Sequence, residues 1–283
     1  MLLLSAVAYT AWVLEVVLST GLDPVQAYIS ELAAEDQPLG GLFRATDLAA
    51  GLCVLAAAVT ALATGQARNP AAAGLTPAAP GRNPTTPGRN RWALVGWSAL
   101  ALFGAATAAD SRLPLSCAPT SDEMCAARET AGLVPATHTA HAVTSSLAML
   151  GALTGLVALT VAARRHQQWP AVRRLGPWLL GAELLATGWS LGAIAAFQAG
   201  RGTWALGAGQ RLQVLLVAIW LAVLAVAVAR SAGPAERGAP RTAERAAPRT
   251  AERGAPRTTD SHDRHRADAG GTPGGPAADR RPA

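Results

Sequence analysis

The sequence predicts an all-α membrane protein, a six-transmembrane-helix bundle followed by a disordered C-terminal tail. Of its 283 residues, 51% are hydrophobic and only 15% are charged, and the hydrophobic residues occur in long blocks. This pattern is typical of polytopic helical membrane proteins. A spanning helix needs about 20 mostly apolar residues, because backbone groups inside a bilayer must hydrogen-bond within the helix. Six segments meet this requirement: 2–20, 42–65, 92–109, 138–163, 175–197 and 210–229.

The first of these segments, 2–20, lacks the basic start and the cleavage site of a signal peptide, so we expect it to be a retained span. The third, 92–109, is the shortest. Alanine and glycine are frequent in several spans, which lowers their hydrophobicity and favours close helix packing through small residues. We therefore expect residues 1–230 to form one compact transmembrane domain.

Two segments lack the apolar residues that a folded core needs. The linker 66–91 repeats Arg-Asn with proline and glycine, as ARNP, GRNP and GRN. The tail 231–283 repeats an eight-residue unit, as ERGAPRTA, ERAAPRTA and ERGAPRTT. Both are predicted to be disordered. Glutamates alternate with the arginines of the tail and dilute its positive charge, so we expect no nucleic-acid partner.

The basic residues predict the orientation of the bundle, because the chain contains arginine and no lysine. Arginine in short loops faces the cytoplasm. Arginines cluster in the linker 66–91 and in the connection 164–174, and Arg230 opens the tail. These three regions fall on one side of a six-span topology. We therefore expect a multi-pass protein of the cell membrane with both termini in the cytoplasm and the loop 110–137 outside the cell.

The long polar insert between the third and fourth spans concentrates the residues that could carry chemistry. Cys117 and Cys125 lie eight residues apart in this predicted external loop. Oxidising conditions outside the cell favour a disulfide between them, and so short a loop can be closed. The alternative is a thiolate metal site, which lacks the usual paired CxxC spacing. Cys53, within the second span, is predicted to be a small apolar side chain.

Two histidines mark the predicted start of the fourth span. His138 and His141 are three residues apart and share a helix face, which Ser145 extends by one turn. With Asp110 they are candidates for a metal site, but zinc takes three or four protein ligands and HxxH lacks the glutamate of HExxH. The alternative is a histidine pair hydrogen-bonded to loop carboxylates. We assign no metal, and since no nucleotide, haem, flavin or phosphate-loop motif occurs, we expect no cofactor.

Ionisable residues in or beside the spans predict a polar pocket in the outer half of the bundle, because a charge inside a bilayer costs several kcal/mol unless it is paired or hydrated. The candidate pocket comprises Glu15, Glu31, Arg44, Asp47, Asp110, His138, His141 and Arg211. The spacing of Arg44 and Asp47 also fits a simple ion pair at the start of a helix. Glu183, in the fifth span, is either a proton-relay carboxylate or a protonated packing residue.

Three stretches resemble the bacterial integral-membrane family known as domain of unknown function 998: YISELAAEDQPLGGLFRATDLAAG, DSRLPLSCAPTSDEMC and HTAHAVTSSLA. The resemblance extends over residues 5–230. It implies the fold and the membrane location and supplies no activity. The residues that it marks are Ser30, Glu31, Arg44, Asp47, Asp110, Pro114, Cys117, Cys125, His138 and His141.

Two functions are compatible with these residues. In the first, which we favour, the protein interacts with membrane lipids and binds or passes a lipid or small-molecule ligand at the outer-leaflet pocket. Arg44 or Arg211 would then neutralise an anionic head group. In the second, the protein is a membrane-embedded hydrolase or transferase that acts on lipid, with or without a metal. His138, His141 and Asp110 would hold the metal or act as acid and base, with Glu31 or Asp47 completing the set.

Overall fold

The computed structural model describes residues 1–65 and 90–232, which form helices and no β-strand. Residues 66–89 and 233–283, which carry nearly all of the predicted linker and tail, lie outside the described residues. The helices are α1 (Leu2–Tyr9), α2 (Gly40–Ala63), α3 (Arg91–Asp110), α4 (Glu123–Thr130), α5 (Ala136–Arg165), α6 (Pro170–Gln198) and α7 (Leu206–Ala232). Two 3₁₀ segments, Ala11–Val16 and Ile29–Ala33, connect α1 to α2.

Five helices are long and apolar enough to cross a membrane: α2, α3, α5, α6 and α7. They match the second to sixth predicted spans, so the described part of the chain is an all-helical membrane protein.

The predicted count of six spans is not confirmed, because the segment 2–20 is not one helix. An α-helix of eight residues ends at Tyr9 and a 3₁₀ segment of six residues follows. Together they reach about 24 Å, less than the ~30 Å thickness of the hydrocarbon. The Thr10 hydroxyl donates to the Val7 carbonyl at 2.8 Å, a local bond that competes with the helical ladder.

Glycines bring α2, α3 and α5 into close contact. A Cβ atom on Gly104 of α3 would lie 2.5 Å from the backbone nitrogen of Leu55 in α2. A Cβ on Gly151 of α5 would lie 2.7 Å from the backbone nitrogen of Phe103 in α3. This is the packing through small residues that the composition predicts. Large side chains then fill the core between α3, α5 and α7, with Trp97, Leu100, Leu159, Trp220 and Leu224 fully buried.

One end of the bundle carries the polar insert, residues 111–135, and is called the insert end. At this end α2, α5 and α7 begin and α3 and α6 finish. The insert contains the short helix α4, whose first turn is capped when the Asp122 carboxylate accepts from the Met124 N–H. The predicted disulfide joins Cys117 to Cys125, with Cα atoms 6.0 Å apart. Cys53 is a free, half-buried thiol in α2.

The N-terminal segment between α1 and α2 docks on the insert end of α7. The Ile29 N–H donates to the Gln210 side-chain oxygen at 2.9 Å, and the Ala208 N–H donates to the Val25 carbonyl at 3.1 Å. A small apolar cluster of Leu32, Ala33 and Phe43 packs below it, with Trp12, Leu22, Ile29 and Leu39 around it. The second 3₁₀ segment is thereby held over the bundle.

Candidate functional site

A cavity of about 460 Å³ occupies the half of the bundle nearer the insert end. Pockets of ~300–1,000 Å³ are of the size that binds small molecules. Its walls are provided by the five spanning helices, by α1 and the two 3₁₀ segments, and by Ser111 and Pro114 of the insert. Much of the lining is apolar and includes Phe43, Phe103, Met149, Leu153, Ile194 and Val217. The cavity can therefore hold a largely apolar molecule.

The cavity opens sideways between α5 and α6. Leu150 of α5 and Leu191 of α6 both line it, yet they are 57% and 61% exposed. A side chain that lines a cavity and also faces the outside of a bundle marks the rim of an opening. A shallow groove on the outer face of α5 shares Ser146 and Leu150 with the cavity. The opening thus faces the surroundings of the spanning helices.

Four of the eight predicted pocket residues line this cavity: Arg44, Asp47, Asp110 and His141. The structure does not pair Arg44 with Asp47. Instead the Arg44 Nη1 donates to the carbonyls of Ala33 and Ala34, at 2.7 and 3.1 Å. Among the described residues, neither Arg44 nor Asp47 belongs to any ion pair. A cation and a carboxylate are thus present at the wall of a largely apolar cavity.

Asp110, His141 and Ser145 form a connected polar cluster in the same cavity. The His141 Nδ1 lies 3.1 Å from Asp110 Oδ1 and 3.0 Å from the Leu113 carbonyl oxygen. The Ser145 hydroxyl lies 3.3 Å from His141 Nε2 and donates to the Asp110 carboxylate at 3.0 and 3.1 Å. The Thr144 hydroxyl also donates to Asp110. The start of α5 is therefore bound to the end of α3 by one carboxylate.

Glu15 and Arg211, also predicted for the pocket, do not line the cavity and form an ion pair with each other. The Arg211 Nε and Nη2 each lie 2.6 Å from one Glu15 oxygen, and the two side chains are only 6% and 4% exposed. The Arg211 Nη1 also donates to the Ala27 carbonyl at 2.9 Å. This bidentate, buried geometry fastens the N-terminal segment to α7.

Glu31 also lies outside the cavity lining and holds the loop that the disulfide closes. Its carboxylate accepts from the Thr120 N–H at 2.8 Å and from the Thr120 hydroxyl. Burial raises the pKa of Glu31 to about 7, and the negative charge of Asp36 adds to this rise. The Thr120 hydrogen bonds and the positive charge of Arg211 lower the same pKa in part.

His138 contacts the insert instead of the cavity. Its Nδ1 accepts from the Ser116 N–H at 3.2 Å and lies 3.0 Å from the Ser116 hydroxyl. Of the three predicted metal candidates, His141 and Asp110 contact each other, whereas His138 binds a different partner. Within residues 1–65 and 90–232, no three His, Cys, Asp or Glu side chains are grouped as a metal site requires. The geometry therefore gives the metal-dependent alternative no support.

Glu183 lies one turn from the cavity-lining residue Thr187 in α6 and is 1% exposed. Neither of its oxygens has a hydrogen-bond partner among the described residues. A carboxyl without a partner in an apolar interior favours the neutral form. Glu183 is thus buried beside the cavity, and both roles that the sequence suggests, proton relay and packing residue, stay predictions.

Several neutral polar residues of the cavity were not predicted from the sequence: Tyr9, Thr107, Thr187, Gln210 and Gln213. The Gln213 amide donates to the Thr187 hydroxyl at 2.8 Å, which joins α6 to α7. Neutral polar side chains inside apolar helices often form such bonds between helices. The feature of the sequence that could have indicated this contact is a glutamine within α7, the most apolar of the spans.

A family model matches residues 2–81 and 81–227 of the chain and so extends over every residue that lines the cavity. The chain belongs to the family described as Protein of unknown function (DUF998). The resemblance found in the three sequence stretches is thereby confirmed. Comparisons of this DUF998 protein with curated proteins and with solved structures find no match. The description of DUF998 supplies no activity, so function must be argued from the site.

Proposed function

We propose that this DUF998 protein binds a membrane lipid, or a lipid-like amphiphile, in the cavity at its insert end. The observation that carries the proposal is the sideways opening between α5 and α6, rimmed by the exposed side chains of Leu150 and Leu191. In a membrane this opening faces the acyl chains of the bilayer. A lipid can therefore enter the cavity without its chain crossing water.

Arg44 is the group that we expect to recognise the head group. Its guanidinium has no carboxylate partner among the described residues, and it lies at the cavity wall. Arginine pairs well with phosphate or carboxylate groups because its donors match two oxygens at once. The apolar lining around Phe103 and Leu153 then accommodates the acyl chain. The expected ligand carries an anionic group and at least one apolar chain.

The arginine distribution supports a cell-membrane location in which the insert end faces outward. Arg164, Arg165, Arg173 and Arg174 all lie near the α5–α6 connection, at the end opposite the insert. Loops rich in arginine remain in the cytoplasm. In this orientation the cavity lies in the outer leaflet and the C-terminal end of α7 faces the cytoplasm. A cytoplasmic N-terminus would also need segment 2–20 to span the membrane, and that sixth span is not confirmed.

Lipid retention by the purified protein tests the proposal. We expect native mass spectrometry in mild detergent to find bound lipid on the wild type and about tenfold less on Arg44→Gln. The lost charge-assisted hydrogen bonds are worth ~1.5–3 kcal/mol, and 1.4 kcal/mol is a factor of ten. Arg164→Gln, an exposed arginine at the opposite end, is the matched control and should retain lipid as the wild type does.

A second pair of variants separates binding from folding. Leu153→Trp fills the apolar part of the cavity and should reduce bound lipid, whereas Val157→Trp, one turn along α5 and outside the lining, should not. Thermal unfolding checks that each variant is folded. A wild type that carries no lipid, or an Arg44→Gln variant that carries as much as the wild type, would refute the proposal.

A further inference from the structure

We propose that the cavity contains a serine-nucleophile hydrolytic site for the carboxylic ester of an amphiphile. Ser145 is the nucleophile, His141 the general base, and Asp110 the positioning residue. The inference rests on the proposed function in one respect, since the substrate would be the amphiphile that occupies the cavity. It adds a reaction, and it requires no metal.

The hydrogen bonds of His141 determine which ring nitrogen carries the proton. Its Nδ1 has two neighbours, the Leu113 carbonyl at 3.0 Å and the Asp110 carboxylate at 3.1 Å. A carbonyl oxygen can only accept a hydrogen bond, so Nδ1 is the donor in the contact with Leu113. The proton of the neutral ring is therefore on Nδ1, and Nε2 presents a lone pair. This is the tautomer that a general base needs.

That lone pair faces the hydroxyl of Ser145. The Ser145 Oγ lies 3.3 Å from Nε2, because the two residues are four apart on α5 and share one face of the helix. Nucleophile and base are thus within hydrogen-bond reach, and the base is held by a third group. In the structure the hydroxyl donates to Asp110 at 3.0 Å, so both the Asp110 carboxylate and His141 Nε2 are within reach of its proton.

The surroundings of the cluster suit an ester with an apolar chain. Asp110, His141 and Ser145 all line the cavity of about 460 Å³. Tyr9 and Arg44 line the same cavity, and a hydroxyl and a guanidinium are groups that can donate to an oxyanion. The sideways opening admits the chain from the bilayer. The site therefore combines a nucleophile, a base, donors and an apolar binding volume.

The reaction is balanced with water as the second substrate. Ser145 Oγ forms a bond to the carbonyl carbon, and its proton passes to His141 Nε2. The ester C–O bond then breaks, and the leaving alcohol takes the proton from Nε2. Water attacks the resulting acyl-serine, giving one proton to Nε2, which returns it to Ser145 Oγ as the carboxylic acid leaves. No oxidant or reductant is consumed.

Labelling of the full-length protein in detergent micelles with an alkyl fluorophosphonate tests the inference, because this probe phosphonylates activated serines. We expect mass spectrometry to locate the label on Ser145. Ser145→Ala should abolish labelling, and His141→Asn should slow it about 100-fold or more, the range that general-base assistance supplies. Ser98→Ala is the control, an exposed serine of α3 outside the cavity, and should react as the wild type does.

Further variants distinguish catalysis from a structural role for the cluster. Ser145→Cys keeps the size of the side chain and should react rapidly with iodoacetamide instead of the fluorophosphonate. Asp110→Asn keeps the shape of the side chain and removes its charge. We expect slow labelling of a folded protein whose unfolding temperature is lower, because Asp110 also joins α3 to α5. Asp110→Glu, which restores the charge, should recover part of the labelling rate.

The outcomes separate this inference from the proposed function. A folded wild type that carries lipid yet leaves Ser145 unlabelled overturns the hydrolytic site and leaves lipid binding intact. Labelling of Ser145 that is unchanged in His141→Asn overturns the role of the base. Labelling at Ser145 in a protein that retains no lipid supports the site and counts against the proposed ligand.

Discussion

At the scale of single residues, Glu31 shows how one carboxylate holds two distant segments together. It belongs to the second 3₁₀ segment, whose residues Ile29, Leu32 and Ala33 line the cavity. Its partner Thr120 lies inside the loop that the Cys117–Cys125 disulfide closes. The insert is therefore attached to this wall of the cavity through a buried acid, beside a backbone hydrogen bond from the Glu35 N–H to the Leu115 carbonyl at 2.9 Å.

This acid predicts a pH dependence of stability. The pKa of Glu31 is raised from 4.5 to about 7 in the folded protein. Between these values the folded state holds a proton that the unfolded state has lost, so stability falls as pH rises from 4.5 to about 7. We expect the thermal unfolding temperature to fall over this range in the wild type and to fall less in Glu31→Gln.

Glu35→Gln is the matched control for this measurement, since Glu35 is an exposed acid two residues after the second 3₁₀ segment. Its unfolding temperature should follow that of the wild type at each pH. An equal slope in Glu31→Gln and in the wild type would show that another group causes the pH dependence.

At the scale of helices, the contact between α2 and α3 depends on the absence of a side chain at Gly104. A Cβ there would lie 2.5 Å from a backbone nitrogen of α2, and a backbone cannot move aside as a flexible side chain can. Gly188 of α6, by contrast, has nothing within 4 Å of the position of a Cβ. The two glycines therefore serve as a matched pair.

We predict opposite effects for alanine at these two sites. Alanine is favoured over glycine in a helix by ~1 kcal/mol, so helix propensity alone would stabilise both variants. Overpacking costs about 1–3 kcal/mol, so Gly104→Ala should lower the free energy of unfolding while Gly188→Ala leaves it equal or higher. Thermal unfolding in detergent measures both. Equal behaviour of the two variants would show that the α2–α3 contact relaxes freely.

The properties of single helices also explain which of them could be predicted from the sequence. The five spanning helices follow from length and apolar content, which are local properties of the sequence. The first segment meets the same requirement in sequence but does not form one helix. Within it, Glu15 pairs with Arg211, a contact 196 residues distant in sequence that no local property reveals. Helix α4 was not predicted either, since it is short and polar and depends on the cap at Asp122.

The candidate site was predicted in part for a related reason. Helical spacing places His138 and His141 on one face, which led us to expect a shared role. The insert folds along the start of α5, however, and gives each ring its own neighbour, Ser116 for His138 and Leu113 for His141. The spacing of two residues on one helix predicts that their side chains lie on the same face. The loop residue that each side chain contacts depends instead on the tertiary fold.

At the scale of the whole molecule, the orientation of the bundle in the membrane determines whether the cavity lies in the outer or the inner leaflet. The native cysteines suit a labelling test, because Cys117 and Cys125 are joined and Cys53 lies within α2. New cysteines at exposed positions of the two ends can therefore be probed separately.

We expect a membrane-impermeant maleimide to label Leu133→Cys in intact cells, because Leu133 belongs to the insert and is 73% exposed. His166→Cys, at an exposed position in the opposite connection, should react only after the membrane is permeabilised. The reverse pattern would place the cavity in the inner leaflet and the C-terminal end of α7 outside.

The pair of Glu15 and Arg211 joins segments made at very different times by the ribosome. Glu15 is synthesised first and cannot pair with Arg211 until α2 to α6 have been completed. Arg211 is synthesised later, near the start of α7, when its partner Glu15 is already present. The N-terminal wall of the cavity is therefore fastened in the final step of biogenesis, so a chain interrupted before α7 lacks the contact that closes it.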